Sequence, residues 1–319
     1  MRIKLIIAIA YNPEYIKILI ENLFWAFQKF DLDIEILTFD EYSQNFKDCS
    51  DHKVNFNFYK KPLYSSKEKW WFSFHNNSHD YVLNSKFDYC VFLEQDVFFT
   101  NVVSENYFKE NELSLFISED YLSVFEGETK IYPRIWEGCL FAPRDILLKA
   151  IDQNVIFGNR NIEPIPNKNK FEFPDFKNLK TRHGGRIIYI NDLLREGRSD
   201  TMFEFSLWCF LNEIKVNNFS KDNECKEGEF VIHFRGFEIL PWLEDKGDKN
   251  ENDYFYLNYL YLKSLCNSSV IKEVLKIKRA YRLDIFNKLE KINVEWMSCD
   301  VLKNHNKFMM YLKKCFAFI

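Results

Sequence analysis

The segment Phe87-Asp88-Tyr89-Cys90-Val91-Phe92-Leu93-Glu94-Gln95-Asp96 joins a short apolar run to two carboxylates. A continuous apolar run of five residues is too short for a helix and is typical of a strand buried on both faces. Ligands of open α/β sheets bind just beyond the carboxyl ends of such strands. In an extended chain Glu94 and Asp96 point to the same side. Carboxylates are hard ligands that suit Mg²⁺ or Mn²⁺ carrying a diphosphate, so we expect a metal site here. The alternative is a strand that ends in ordinary solvated acids.

Strand and helix patterns alternate along the rest of the chain. Apolar spacing predicts strands at residues 3–10, 33–39, 54–59 and 88–93, with helices at residues 14–30 and 67–85. Further along, it predicts strands at residues 113–117, 135–141, 187–190 and 230–234, and helices at residues 146–151 and 200–214. Such alternation predicts a mostly parallel sheet that is flanked by helices.

Composition and charge narrow the class of protein. The chain has 319 residues, enough for a sizeable core, and 47% of them are hydrophobic against 28% charged. Its net charge of −4 argues against a general nucleic-acid binder. The eight cysteines include no CxxC pair, so we expect neither a disulfide framework nor a zinc site. Since no run approaches the ~20 apolar residues of a membrane span, we expect a cytoplasmic protein.

These features resemble GT-A type glycosyltransferases of the kind that build bacterial or viral surface polysaccharides. The resemblance rests on the first strand, turn and helix (residues 5–23), on the Phe92 to Asp96 motif, on the helix opening Asp200-Thr201-Met202-Phe203-Glu204, and on His233 near the end of the last strand. It covers about residues 1–240, and Glu94 stands where the family usually has Asp. The implied fold is α/β: a GT-A (Rossmann-like) mixed, mostly parallel sheet flanked by helices, with a C-terminal helical extension.

The resemblance also implies a division of the chain. Residues 1–250 would form the glycosyltransferase domain, with a nucleotide-sugar-binding half (residues 1–100) and an acceptor-binding half (residues 101–250). Residues 158–186 are rich in Gly, Pro and Asn, which predicts a flexible loop or lid. Residues 251–319 would form a basic helical tail.

A donor site at the ends of the strands is implied in the same way. The implied ligands of Mn²⁺ or Mg²⁺ are Glu94, Asp96 and His233. The residues implied to contact the nucleotide sugar are Ala8, Tyr11, Asp40, Glu94, Gln95 and Arg235. For His233, which stands between two apolar residues, the alternative is a core histidine with no ligand.

Candidate bases for the acceptor hydroxyl come from two segments. Asp200 and Glu204 are four apart at the head of a predicted helix and would share one face. The alternative is that Asp200 is the N-cap and Glu204 is a first-turn acid favoured by the helix dipole. Glu137, beside Trp136, is a rival for the role of base.

The predicted function is metal-assisted transfer of a sugar from a nucleotide diphosphate sugar to a glycan or lipid-linked acceptor. One alternative is a nucleotidyltransferase, but its Gly-rich basic loop is absent from Tyr11-Asn12-Pro13-Glu14. Another is a non-catalytic, sugar-binding or scaffold relative.

The basic tail leaves two interpretations open. Residues 260–319 carry 12 Lys and Arg against 5 Asp and Glu. Their helices could lie on an anionic membrane at its inner face, as basic amphipathic helices do. We favour packing of their apolar side on the domain or on another subunit as a homo-oligomer.

Overall fold

The computed structural model describes most of the chain, with gaps between its ranges. These ranges are residues 1–9, 15–46, 53–59, 78–116, 121–126, 128–135, 138–158, 171–176, 179–183, 186–196, 202–219, 230–234, 249–266, 271, 274, 279–314 and 316.

Seven strands of the described residues form the central sheet. Across the sheet they are β12 (Lys215–Asn218), β6 (Glu112–Leu115), β9 (Cys139–Pro143), β4 (Tyr89–Glu94), β1 (Arg2–Ile9), β2 (Asp31–Phe39) and β3 (Val54–Tyr59). Strand β9 is antiparallel to both of its neighbours, and the other pairs are parallel. The predicted fold class, a mixed and mostly parallel sheet, is confirmed.

Two smaller sheets and several helices surround the central sheet. One small sheet has the order β11 (Arg186–Tyr189), β10 (Leu179–His183), β7 (Tyr121–Glu126) and β8 (Glu128–Pro133); the other pairs β13 (Val231–His233) with β5 (Val97–Phe99). The helices are α1 (Ile16–Ala26), α2 (Arg144–Asp152), α3 (Ile190–Glu196), α4 (Phe203–Leu211), α5 (Lys249–Cys266), α6 (Arg279–Leu289) and α7 (Cys299–Lys314). Residues 78–84 are also helical.

Two predicted elements differ from the structure. The loop predicted over residues 158–186 holds strand β10 in its last part, where His183 pairs with Arg186 of β11. Two short runs separated by Gly-Gly are a hairpin signal, and this signal could have revealed the pair. The helix predicted from residue 200 begins at Phe203.

Side chains alternate between the two faces of the sheet. Along β1, Leu5 and Ile7 join the core cluster that contains α1, whereas Ile6 and Ala8 join the cluster that contains α2 and α4. This alternation follows from the two-residue period of an extended chain. Both faces are covered, as expected for strands that read as continuous apolar runs.

The C-terminal helices share the first of these two cores. Tyr261 of α5 stacks on Phe234 with ring centroids 5.4 Å apart, and its hydroxyl lies 2.9 Å from Nδ1 of His305 in α7. Trp296 lies beside Phe98 of β5, at 6.0 Å between ring centroids. The apolar side of the tail therefore packs on the domain. The boundary placed at residue 250 stays a prediction.

None of the described helices has both the length and the apolar character of a membrane span.

A buried lysine joins the first two strands near their amino ends. Nζ of Lys4 lies 2.8 Å from Oδ2 of Asp33 and 2.6 Å from Oε1 of Glu35. The amide groups of Asn55 and Asn57 on β3 donate to the same carboxylates. Because a buried ammonium group needs compensating charge, these contacts allow the side chain of Lys4 to be buried.

We expect Lys4→Met to destabilise the protein by about 3 kcal/mol, because two neighbouring carboxylates would lose their cation. Urea unfolding monitored by circular dichroism measures this. The matched control is Lys53→Met, which removes a half-exposed partner 3.7 Å from Asp31 and should change the unfolding free energy by less than about 1 kcal/mol. Equal effects of the two substitutions would contradict the prediction.

Candidate active site

The carboxyl ends of β1, β2 and β4 bring three of the predicted residues to one edge of the sheet. Ala8 on β1 is in register with Glu94 on β4. The N–H of Glu94 donates to the carbonyl of Gly138 at 3.2 Å, just before β9 begins. Asp40 follows directly after β2 and is exposed. These three residues therefore lie at the edge of the sheet where open α/β sheets bind their ligands, and their contact with a ligand stays a prediction.

The residues of the acidic motif are buried. Glu94 and Gln95 are each 7% exposed, and Asp96 is 1% exposed. Gln95 and Asp96 form the two-residue connection between β4 of the central sheet and β5 of the two-stranded sheet. The interpretation of these acids as ordinary solvated groups is therefore wrong.

Strand β13 brings His233 next to Asp96. The register pairs His233 with Val97, and the N–H of Phe234 donates to the carbonyl oxygen of Asp96 at 2.8 Å. Two segments far apart in the chain thus meet at the backbone, and the predicted ligand set stays a prediction. The side chain of His233 lies outside the described residues. Among the described side chains, no group of three or more His, Cys, Asp or Glu residues could hold a metal.

Helix α4 places Glu204 in its first turn with only 1% of its surface exposed. Met202 caps the helix with φ 56°, and its N–H donates to the carbonyl of Phe157 at 2.7 Å. A left-handed residue other than glycine stores about 1–3 kcal/mol of strain, which is common beside functional sites.

The helix start at Phe203 corrects the argument made for Asp200. Met202 occupies the N-cap, so Asp200 is not the cap of this helix. The position of Asp200 itself lies outside the described residues. Glu204 is the buried first-turn acid of the pair.

Ser206 joins α4 to the segment that leads to Glu137. The N–H of Ile135 donates to Oγ of Ser206 at 2.9 Å. The Ser206 hydroxyl lies 3.0 Å from the carbonyl oxygens of Ile135 and Met202, either of which accepts its proton. The guanidinium of Arg134 lies 5.7 Å from the ring centroid of Phe203. Helix α4, which carries Glu204, is therefore held to residues 134–135.

His79 is a buried residue that the sequence reasoning did not single out. Its ring lies 4.6 Å from that of Phe157, which is 5.8 Å from the ring of Phe92 on β4. Burial lowers the pKa of His79 to about 4, so the imidazole is neutral at pH 7. Nothing in the helical pattern of residues 67–85 distinguished this position from a solvated one.

The remaining predicted site residues lie outside the described part of the chain. They are Tyr11, Glu137, Asp200 and Arg235. Their roles stay predictions.

Comparison with solved structures finds glycosyltransferases. One is the galactosyltransferase LgtC in complex with donor and acceptor sugar analogs: 12% identity, TM-score 0.34, covering 44% of this chain and 58% of that chain. Two are of the glycosyltransferase GlyE of Streptococcus pneumoniae TIGR4. The apo form has 13% identity and TM-score 0.35, covering 67% of this chain and 44% of that one. The other has 10% identity and TM-score 0.38, covering 98% and 63%.

This chain therefore spans between 44% and 63% of the length of these structures. No protein-family model and no curated protein matches the chain.

We expect Ser206→Ala to destabilise the protein by roughly 1–3 kcal/mol, because the buried N–H of Ile135 would lose its acceptor. Ser264→Ala is the matched control. Its hydroxyl is equally buried but donates to the Tyr261 carbonyl within α5, where the helix itself also supplies a donor. Chemical denaturation should show a much smaller change for the control, and similar losses would be evidence against the coupling of α4 to Ile135.

Proposed function

We propose that the protein is a glycosyltransferase that uses a nucleotide diphosphate sugar with the help of a divalent cation. The observation that carries the proposal is the contact of β13 with the acidic motif. The hydrogen bond from the N–H of Phe234 to the backbone carbonyl of Asp96 joins the strand that carries His233 to the turn that carries the buried residues Glu94 and Asp96. This is the kind of edge at which open α/β sheets bind their ligands.

The donor set fits Mn²⁺ or Mg²⁺. Glu94 and Asp96 are two carboxylates, which are hard oxygen ligands, and they are held in one turn. Two like charges in one buried turn raise each other's energy, and a cation offsets this repulsion. Glu94, Asp96 and the side chain of His233 would hold the ion. When bound, it supplies Lewis-acid stabilisation of the charge that develops on the leaving diphosphate.

Residues around the motif are suited to the rest of the donor. Neither amide atom of Gln95 makes a hydrogen bond within the described part of the chain, although both are buried. Since buried polar atoms normally have partners, this amide is suited to a polar group of the donor. The exposed carboxylate of Asp40 can accept hydrogen bonds from ribose hydroxyls. Ala8 is a further proposed contact of the donor. Tyr11 and Arg235 complete the proposed donor contacts, with Arg235 on a phosphate.

The acceptor hydroxyl needs a group that takes its proton. Glu204 is our first candidate, because it is buried and stands on a strained helix start. Asp200 and Glu137 are the other two candidates. The proposed acceptor is a glycan or a lipid-linked glycan, and the transferred group is a hexose.

The proposed location is the cytoplasm, with contact at the inner face of the membrane. That contact is supported by the outward side of α7, where Lys303, Lys307 and Lys314 are exposed together with Met310. Lysines near an anionic surface each contribute about 1 kcal/mol of attraction.

We expect one nucleotide among UDP, GDP and CMP to raise the melting temperature of the protein when Mn²⁺ is present. At 100 times its dissociation constant, a ligand adds about 2.7 kcal/mol of stability. Asp96→Asn should abolish this stabilisation, because the substitution removes the charge of a ligand carboxylate. Differential scanning fluorimetry measures the effect.

Asp88→Asn is the matched control for that substitution. Asp88 stands at the opposite end of the same strand and accepts a hydrogen bond from the N–H of Arg2, so its loss should leave the metal-dependent shift unchanged. Absence of a shift with every nucleotide would refute the metal-dependent transferase and favour the scaffold alternative.

We expect Glu204→Gln to bind donor normally and to release nucleoside diphosphate from the nucleotide sugar about 10²–10⁴ times more slowly, since a general base contributes that much. A coupled assay of diphosphate release measures the rate. The control is Glu213→Gln, at an exposed position just after α4. If Glu204→Gln is as fast as wild type, the base is another residue, with Asp200 and Glu137 to be substituted next.

A further inference from the structure

Asn22 is a polar residue in the middle of the apolar helix α1. It is 0% exposed and stands among buried residues that include Leu19 and Leu23. Asparagine is a poor helix former, because its side chain competes with the helical backbone for hydrogen bonds. A residue that breaks both the apolar pattern and the local propensity calls for an explanation by a long-range contact.

That contact is a pair of hydrogen bonds to one residue of β5. Nδ2 of Asn22 donates to the carbonyl oxygen of Phe99 at 2.9 Å, and the N–H of Phe99 donates to Oδ1 of Asn22 at 2.8 Å. The side-chain amide thus pairs with Phe99 as a neighbouring strand would. On its other edge, β5 pairs with β13 in register at all three of its residues.

The strand held in this way is short and directly follows the acidic motif. Strand β5 has three residues, and only Gln95 and Asp96 separate it from β4. Strand β4 is fixed in the central sheet by β1 and β9. The direction in which the chain leaves Glu94, and so the placement of Asp96, depends on what holds β5.

Helix α1 provides a second contact to the same stretch. The N–H of Val103 donates to the carbonyl of Ala26 at 2.8 Å, at the end of α1. The helix therefore holds the chain after the motif at two points, and Asn22 is the one nearer to Asp96.

We propose that Asn22 is a positioning residue for the turn formed by Glu94, Gln95 and Asp96. It fixes β5 so that the carboxylate of Asp96 is held for the cation and diphosphate. This inference rests on the proposed function, because it assigns a consequence for donor binding. Residues that orient metal ligands typically change metal affinity about 10–100-fold when they are substituted.

A purely structural role predicts a different outcome. If Asn22 only provided hydrogen-bond partners for the backbone of Phe99, its loss would lower the stability of the protein. The affinity of the folded protein for the nucleotide would then be unchanged. The decisive measurement is therefore an affinity, taken well below the melting temperature of every variant.

The experiment compares three variants with wild type. Asn22→Leu keeps the branched shape of the side chain and removes both hydrogen bonds. Asn22→Ser is smaller and polar, so it provides a second variant if Asn22→Leu fails to fold. Leu289→Ala is the stability control, because this buried residue of α6 belongs to the same core cluster as helix α1. For each protein, isothermal titration measures the dissociation constants of UDP, GDP and CMP with Mn²⁺, and hydrogen exchange follows residues 95–100.

We expect the Asn22 variants to bind the nucleotide about tenfold more weakly or worse, with faster exchange at residues 95–100. The control should lose melting temperature and keep its dissociation constant within about twofold of wild type. If the Asn22 variants bind the nucleotide as tightly as wild type, or if Leu289→Ala weakens binding equally, the proposed role of Asn22 is overturned and the proposed function is not. Absence of metal-dependent binding by wild type would instead overturn the proposed function, and with it this consequence.

Discussion

The antiparallel pair of β5 and β13 is the contact on which the candidate site depends. It joins the residues after Asp96 to the residues around His233, and the bond from Phe234 to Asp96 closes the pair at the site end. A two-stranded ribbon of three residues per strand is not stable alone in water. It persists here because other elements hold both of its sides, so the geometry of the site is a property of the whole domain.

The C-terminal helices hold one of those sides. Tyr261 packs on Phe234, and His305 of α7 packs on Tyr261, so a chain of buried rings supports the strand that carries His233. Helix α1 holds the other side through the amide of Asn22. The C-terminal helices, whose basic composition suggests a separate tail, therefore belong to the same hydrophobic core as β5 and β13. Its basic outer face remains available for a surface interaction.

Several polar groups inside the protein are matched by specific partners. Lys4 lies between Asp33 and Glu35, and Ser206 meets both backbone groups of Ile135. Such matching is required because an unmatched buried group costs as much as several good contacts contribute.

The sequence alone was sufficient for strands β1 to β4 and β6 of the central sheet and for the position of the acidic motif, because apolar periodicity and an abrupt change to carboxylates are local signals. It also sufficed for the helical nature of the tail. Other features were decided only by the tertiary structure: the start of α4 at Phe203, the β10 strand, and the meeting of β13 with Asp96. The amide of Asn22 belongs with them, since its partner is 77 positions away. Contacts between distant segments depend on how faces pack, and no local pattern records that packing.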